Sequence, residues 1–149
     1  MRIGTWNVRT MLRPGKLANV INEMKRGKLN VLGLSEMRWR ESGDFTSEGV
    51  RIIYAGGNES QRGVALLLDQ ETAKCVISTK VHGDRVVLVR IQAQPTNIVV
   101  IQVYMPTSAH GDEEVEAVYE KLEQLLQKVK GTEYLIEWLL SNLNSTTYA

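Results

Sequence analysis

The chain has 149 residues, 43% hydrophobic and 23% charged, which suffices for one domain with its own core. No apolar run approaches the roughly 20 residues of a membrane-spanning helix, and a lone cysteine, Cys75, excludes an internal disulfide. The N-terminal segment MRIGTWNVRT lacks the apolar core of a signal peptide, so an intracellular setting without membrane association is expected.

The net charge of +1 is unevenly spread. Residues 1–40 hold nine Lys/Arg against two acidic residues, a balance of +7 that leaves −6 for the remainder. Such a basic stretch suits a phosphate-facing surface; the same residues also serve as ordinary solvated helix and loop surface.

Taken in chain order, MRIGTWNV reads as a buried strand ending near Asn7. Pro14-Gly15 then opens an amphipathic helix in which Leu17, Val20, Ile21 and Met24 recur at helical spacing, with Gly27 placed to stop it. Val31-Leu32-Gly33-Leu34 is a second short strand leading into Ser35-Glu36, and strand–helix–strand favours a layered α/β arrangement. Residues 41–49 are polar and contain glycine, so a surface loop is expected there. Four strands follow at 50–55, 63–68, 75–81 and 85–92, with turns at Gly56-Gly57-Asn58, Asp69-Gln70 and His82-Gly83-Asp84. Their short spacing predicts antiparallel hairpins rather than crossover helices. The run 98–104 is apolar on both faces apart from Gln102, as in a central strand.

Pro106-Thr107-Ser108 ends that strand. A helix is predicted over 112–130, with an apolar stripe through Val115, Val118, Leu122, Leu125 and Val129. Asp112, Glu113 and Glu114 at its start and Lys128 and Lys130 at its end match the helix dipole, which favours a helix-stabilising role for the acidic cluster over a metal site. The run 134–140 is strand or helix by length. The polar residues 141–149 show no further element.

Three predicted strands end in polar side chains: Asn7, Glu36 and Tyr104. Neighbouring strand ends in a sheet share one rim, where sites commonly form. An amide, a carboxylate and a phenol suit a hard cation beside a phosphate, since Mg²⁺ takes oxygen ligands and few protein carboxylates. Each alone has an ordinary reading as well: a turn cap, a solvated charge, a strand aromatic.

The words around them are more specific. GTWNVRT at 4–10, LSEMRW at 34–39 and VYMPTS at 103–108 follow the order and spacing of the endonuclease/exonuclease/phosphatase superfamily. The stretch to about Lys130 resembles the endonuclease domain of non-LTR retrotransposons, in the branch shared by Bov-B-like elements and the craniofacial development protein 2 group. The resemblance implies a DNase-I-like four-layer α/β sandwich, two mixed sheets face to face with helices outside, truncated in its C-terminal half. Residues 1–130 then form an incomplete domain and 131–149 a divergent tail.

It also implies Mg²⁺- or Mn²⁺-dependent cleavage of DNA. Glu36 is the metal carboxylate, Asn7 stands beside the metal and the phosphate, and Tyr104 orients the phosphate. Arg9, Arg13, Arg38 and Arg40 are expected phosphate contacts. Arg9 stands where apurinic endonucleases often carry an acid, so a further metal contact is not expected there. Trp39 reads equally as a base-stacking residue or as core.

The superfamily completes its site with Gly-Asp-x-Asn and Ser-Asp-His words, and the sequence contains neither. Ser141-Asn142-Leu143-Asn144 lies near the place of the first but has no carboxylate. His82 and His110 read as surface residues. The expected outcome is an endonuclease-derived chain that holds metal weakly and hydrolyses little. The alternative is a non-catalytic nucleic-acid- or protein-binding remnant, contacting DNA weakly through phosphates. The second sheet is expected to be largely absent, leaving apolar surface for a protein partner to cover.

Overall fold

The computed structural model of the chain describes residues 1–57, 63–104, 112–129, 134–140 and 146–148; for 112, 134–140 and 146–148 it describes the backbone alone. Strands β1 (Ile3–Asn7) and β2 (Val31–Ser35) pair in parallel, with Asn7 opposite Ser35, and helix α1 (Lys16–Arg26) crosses between them. Gly15 precedes the helix at φ +78°, a conformation that favours glycine. Val20, Ile21 and Met24 are fully buried, each contributing about 1.5–3 kcal/mol. Gly27 closes the helix by donating its N–H to Glu23 O.

Residues 41–49 are not a loop. Strand β3 (Ser42–Ser47) turns through Glu48-Gly49 into β4 (Val50–Ala55), antiparallel and in unbroken register. A polar edge strand gives no hydrophobic alternation, because main-chain pairing holds it. Here Arg51 adds a two-point bond to Asp44 at 2.7 and 3.0 Å, which raises the guanidinium's proton affinity further. Strand β5 (Val64–Leu68) then lies between β4 and β2, both partners antiparallel.

The expected turn at Asp69-Gln70 is instead a one-turn helix, α2 (Gln70–Ala73). The Asp69 carboxylate accepts from Thr72 N and from Asn30 Nδ2, each at 2.8 Å. That cap ends the strand's course and sends the chain to a second sheet, so β5 and the next strand form no hairpin. In that sheet β6 (Val76–His82), β7 (Val86–Ile91) and β8 (Ile98–Tyr104) run antiparallel in sequence. Helix α3 (Asp112–Leu126) leads to β9 (Tyr134–Leu140), which pairs in parallel with β8, Leu140 opposite Tyr104. The helix ends before Lys128, so its last turn carries no basic residue and the expected C-terminal dipole match is not made. Strand β10 (Thr146–Tyr148) returns to the first sheet, antiparallel to β1.

The order is β10-β1-β2-β5-β4-β3 in one sheet and β6-β7-β8-β9 in the other. Two expectations are therefore corrected. The second sheet is present with four strands, and a further strand follows residue 141. Three apolar clusters define the layers. One joins α1 to the outer face of the first sheet (Val20, Ile21, Leu32, Leu67) and one fills the space between sheets (Ile3, Val31, Leu66, Val89, Val100). The third joins the second sheet to α3 (Leu88, Ile101, Val118, Leu122). The result is an α/β/β/α sandwich.

Candidate functional site

Strand direction brings the three predicted residues to one end of this sandwich. Ala55 pairs with Val64, which pairs with Ser35, so β1, β2 and β4 all finish at the same edge. Just past β4, Gly57 lies against Asp84 of the β6–β7 turn, where an added Cβ would sit 2.7 Å from its carboxylate. Val86 after that turn pairs with Val103, so β8 finishes at this edge too. Asn7, Glu36 and Tyr104 thus share a rim formed by both sheets.

Backbone geometry there is unusual. Arg9, Glu36, Arg38 and Glu41 have φ of 61°, 57°, 61° and 64°, a region few non-glycine residues enter. Such strain persists only where neighbours over-determine it, and it clusters at functional sites. The neighbours are clear. Val8 N donates to Ser35 O, Met37 N to Gly63 O and Met11 N to Met37 O. Glu36 is therefore clamped on both sides, with fully buried Met37 as the anchor. The residue is partly exposed, and its carboxylate has no hydrogen-bond or ion-pair partner among the described residues.

Asn7 is 5% exposed, and its Oδ1 accepts Arg9 N at 3.0 Å, which fixes the amide at the strand's end. One lone pair of that oxygen remains. Tyr104 is 4% exposed and packs in the intersheet cluster, its N–H donating to Arg85 O at 2.9 Å. Beneath them Gln102 lies across Gly33, so close that a Cβ there would overlap its Oε1. Thr5 Oγ1, Ser35 Oγ and Gln102 Nε2 are buried without a hydrogen-bond partner among the described residues, giving the site a polar floor in an apolar sandwich.

The predicted arginines separate. Arg9, Arg13 and Arg40 are exposed, whereas Arg38 is half-buried with its Nε lacking a protein partner. Trp39 is structural: its Nε1 donates to Met11 O at 3.3 Å, and its ring meets Tyr54 edge-on at 5.0 Å and Phe45 at 5.9 Å. Asn58, residues 106–108, His110 and Asn142 and Asn144 lie outside the described residues.

Sequence reasoning missed Arg85. It is 7% exposed, its guanidinium stands 5.8 Å from the Tyr104 ring centre, and it bonds Glu114 of α3. Gln102 at least breaks an apolar run and could have been flagged; nothing in the local spacing marks Arg85. For a hard cation the donor set is Glu36 with Asn7, and no group of three or more His, Cys, Asp or Glu among the described residues could hold one. One carboxylate plus an amide oxygen fits an ion that keeps several waters.

Solved structures share this architecture. The 3′-5′ exonuclease NExo from Neisseria meningitidis superposes with a TM-score of 0.68 at 17% identity, over 97% of this chain and 58% of that one. The endonuclease domain of TRAS1, a telomere-specific non-LTR retrotransposon, gives 0.62 at 14% identity, over 91% and 57%. TDP2 of D. rerio, in complex with a single-strand DNA product, gives 0.66 at 10%, over 92% and 58%. This is the DNase-I-like endonuclease/exonuclease/phosphatase fold.

Within that fold the Asn7–Glu36–Tyr104 rim lies on strand ends of both sheets. No protein-family profile matches the chain. In sequence it is similar to craniofacial development protein 2 of Bos taurus, 42% identical over 126 residues and 84% of this chain, and of Tragulus javanicus, 40% identical over the same length. The chain spans 21% and 22% of those relatives' length.

Proposed function

We propose that the rim binds the phosphodiester backbone of DNA together with a divalent cation, Mg²⁺ or Mn²⁺, in the manner of a metal-dependent endonuclease, and that these 149 residues bind without appreciable hydrolysis. The observation that carries this reading is Glu36: a partly exposed residue clamped in a left-handed conformation, its carboxylate unpaired among the described residues, at the strand end beside Asn7. A carboxylate held in place without a protein partner leaves its oxygens available to a hard cation.

Glu36 and the free lone pair of Asn7 would hold the cation, which when bound supplies neutralisation of phosphate charge. The Tyr104 phenol orients a phosphate oxygen, while Arg9, Arg13, Arg38 and Arg40 supply backbone contacts that carry no sequence information. The sequence contains neither Gly-Asp-x-Asn nor Ser-Asp-His, so no positioned base activates a water. The reading includes descent from a non-LTR, Bov-B-like element, resting on the resemblance of the three sequence words; the TRAS1 domain shares the fold.

Fluorescence anisotropy with a labelled duplex, at 50 and 200 mM salt, tests the reading. Affinity should fall steeply with salt, roughly 0.9 log units per log unit of salt for each phosphate contact. Added Mg²⁺ should strengthen binding to the chain and leave Glu36→Gln unaffected, with no nicking of plasmid DNA by either. Binding indifferent to salt and to Mg²⁺ contradicts the reading. Robust Mg²⁺-dependent nicking that is lost in Glu36→Ala contradicts the non-hydrolytic part alone.

A further inference from the structure

Charge on α3 is sorted by face. Glu113, Glu116, Glu120 and Glu123 are exposed and fall at helical spacing on the side away from the core. Lys121 and, one turn past the helix, Lys128 occupy a flank instead. That flank faces the edge strand β6, because His82, Ala117, Val118 and Lys121 line one cavity of about 190 Å³ between them. Strand register puts a further ammonium and a neutral imidazole on the same side. Lys80 stands opposite Leu88 and His82 opposite Val86, and both Leu88 and Val86 pack against α3. Directly opposed residues share a face, so Lys80 and His82 point toward the helix as well. Arg90 closes the far end by donating to Lys128 O at 3.2 Å.

The outcome is a groove beside α3: its rim end is lined by His82 and Lys121 with Asp84, Arg85 and Glu114, and Lys80 and Lys128 lie further along it. The nearest acid on the helix flank, Glu114, is engaged by Arg85. No carboxylate pairs with Lys80, Lys121 or Lys128 among the described residues. Contact with the Lys128 ammonium holds Lys80 below its ordinary value, with Lys121 adding to the effect. Burial, then Lys121 and Lys80, lowers His82. Three ammonium groups gathered here without a carboxylate partner among the described residues suit a polyanion.

We infer that the β6–α3 groove is a second phosphate-contacting surface, which carries the DNA backbone away from the rim. The inference rests on the proposed function for its ligand, yet concerns residues outside the rim. A 15-residue helix is about 22 Å long, so the groove can extend about that far from the rim along the side of the second sheet.

The full chain and its Lys80→Gln/Lys121→Gln/Lys128→Gln variant should be compared by anisotropy with a 20-base-pair duplex across a salt series. The variant should lose about 2 to 3 from the slope of log affinity against log salt, and about tenfold or more in affinity at low salt. Each single Lys→Gln variant should lose about 0.9 of slope, which keeps the inference testable if the triple variant melts early. An unchanged slope in these variants, with a reduced slope in Arg9→Gln/Arg38→Gln, overturns the groove and leaves the rim reading intact. No salt-dependent binding by the unmodified chain overturns both. Full DNA affinity in the triple variant, with lost binding to phosphatidylserine/phosphatidylcholine vesicles, reassigns the groove to lipid headgroups and overturns it likewise.

Discussion

Gly56→Ala should lower the stability of the chain by about 3 kcal/mol, the upper end of what overpacking costs. A Cβ at Gly56 would overlap two main-chain oxygens, Glu41 O and Trp39 O. Neither belongs to a flexible side-chain end that could swing aside. Both lie in the segment that turns the chain from β2 to β3, where Arg38 and Glu41 already hold left-handed conformations. Relief therefore has to come from moving that segment, which carries Arg38 and Arg40 and braces Trp39 against the core. Gly15→Ala is the fitting control. Nothing lies within 4 Å of its added carbon, so only the φ of +78° opposes it, at about 1–2 kcal/mol. Urea unfolding followed by tryptophan fluorescence checks both. A Gly56→Ala loss no larger than that of Gly15→Ala would mean the close approach at residues 39–41 is not a feature of the folded chain.

Glu114→Ala should be the next most damaging change, at about 2–3 kcal/mol. The Arg85 side chain is 9% exposed, bonds Glu114 on α3 and, among the described residues, has Asp84 at 3.8 Å as its other carboxylate neighbour. Removing one member of a buried pair strands the other's charge, typically at 3–5 kcal/mol; partial exposure of Glu114 and the remaining Asp84 reduce that. The sign of a second comparison is more telling. Arg85→Met/Glu114→Leu deletes both charges and should recover stability relative to Glu114→Ala, since no uncompensated charge remains. A double variant less stable than Glu114→Ala would show that the pair contributes through packing on Tyr104 rather than through charge compensation.

Much of the first half of the fold is legible in the chain, and for identifiable reasons. Helix α1 announces itself through four apolar residues at helical spacing and a glycine stop, and β2 through a short apolar run. Strand β3 is hidden because a polar edge strand is held by its main chain and by Arg51–Asp44, neither of which leaves a hydrophobic pattern. The crossing to the second sheet is hidden in Asp69, which reads as a turn residue and acts as a helix cap. Strands β9 and β10 complete the two sheets from segments whose composition left β9 ambiguous and gave no sign of β10.

The site divides in the same way. Asn7, Glu36 and Tyr104 each sit in a recognisable word, yet their convergence depends on how two sheets stack, as Gly57 against Asp84 shows. The contacts of Arg85 with Tyr104 and of Gln102 with Gly33 cross between elements far apart in sequence, where no local periodicity records them. Left-handed φ at Glu36 is invisible for a different reason. Only tertiary bonds on both sides of the residue enforce it.

Paramagnetic broadening by Mn²⁺ reads out whether Glu36 and Asn7 hold a divalent cation at the rim, as proposed. In amide correlation spectra of the isotope-labelled chain, substoichiometric Mn²⁺ should first erase the signals of residues 7–9, 35–37 and 104, because broadening falls steeply with distance from the ion. Glu36→Gln should abolish that pattern and leave the fold unchanged. Broadening centred on the acidic face of α3 at Glu113, Glu116, Glu120 and Glu123, or an identical pattern in Glu36→Gln, would contradict the account.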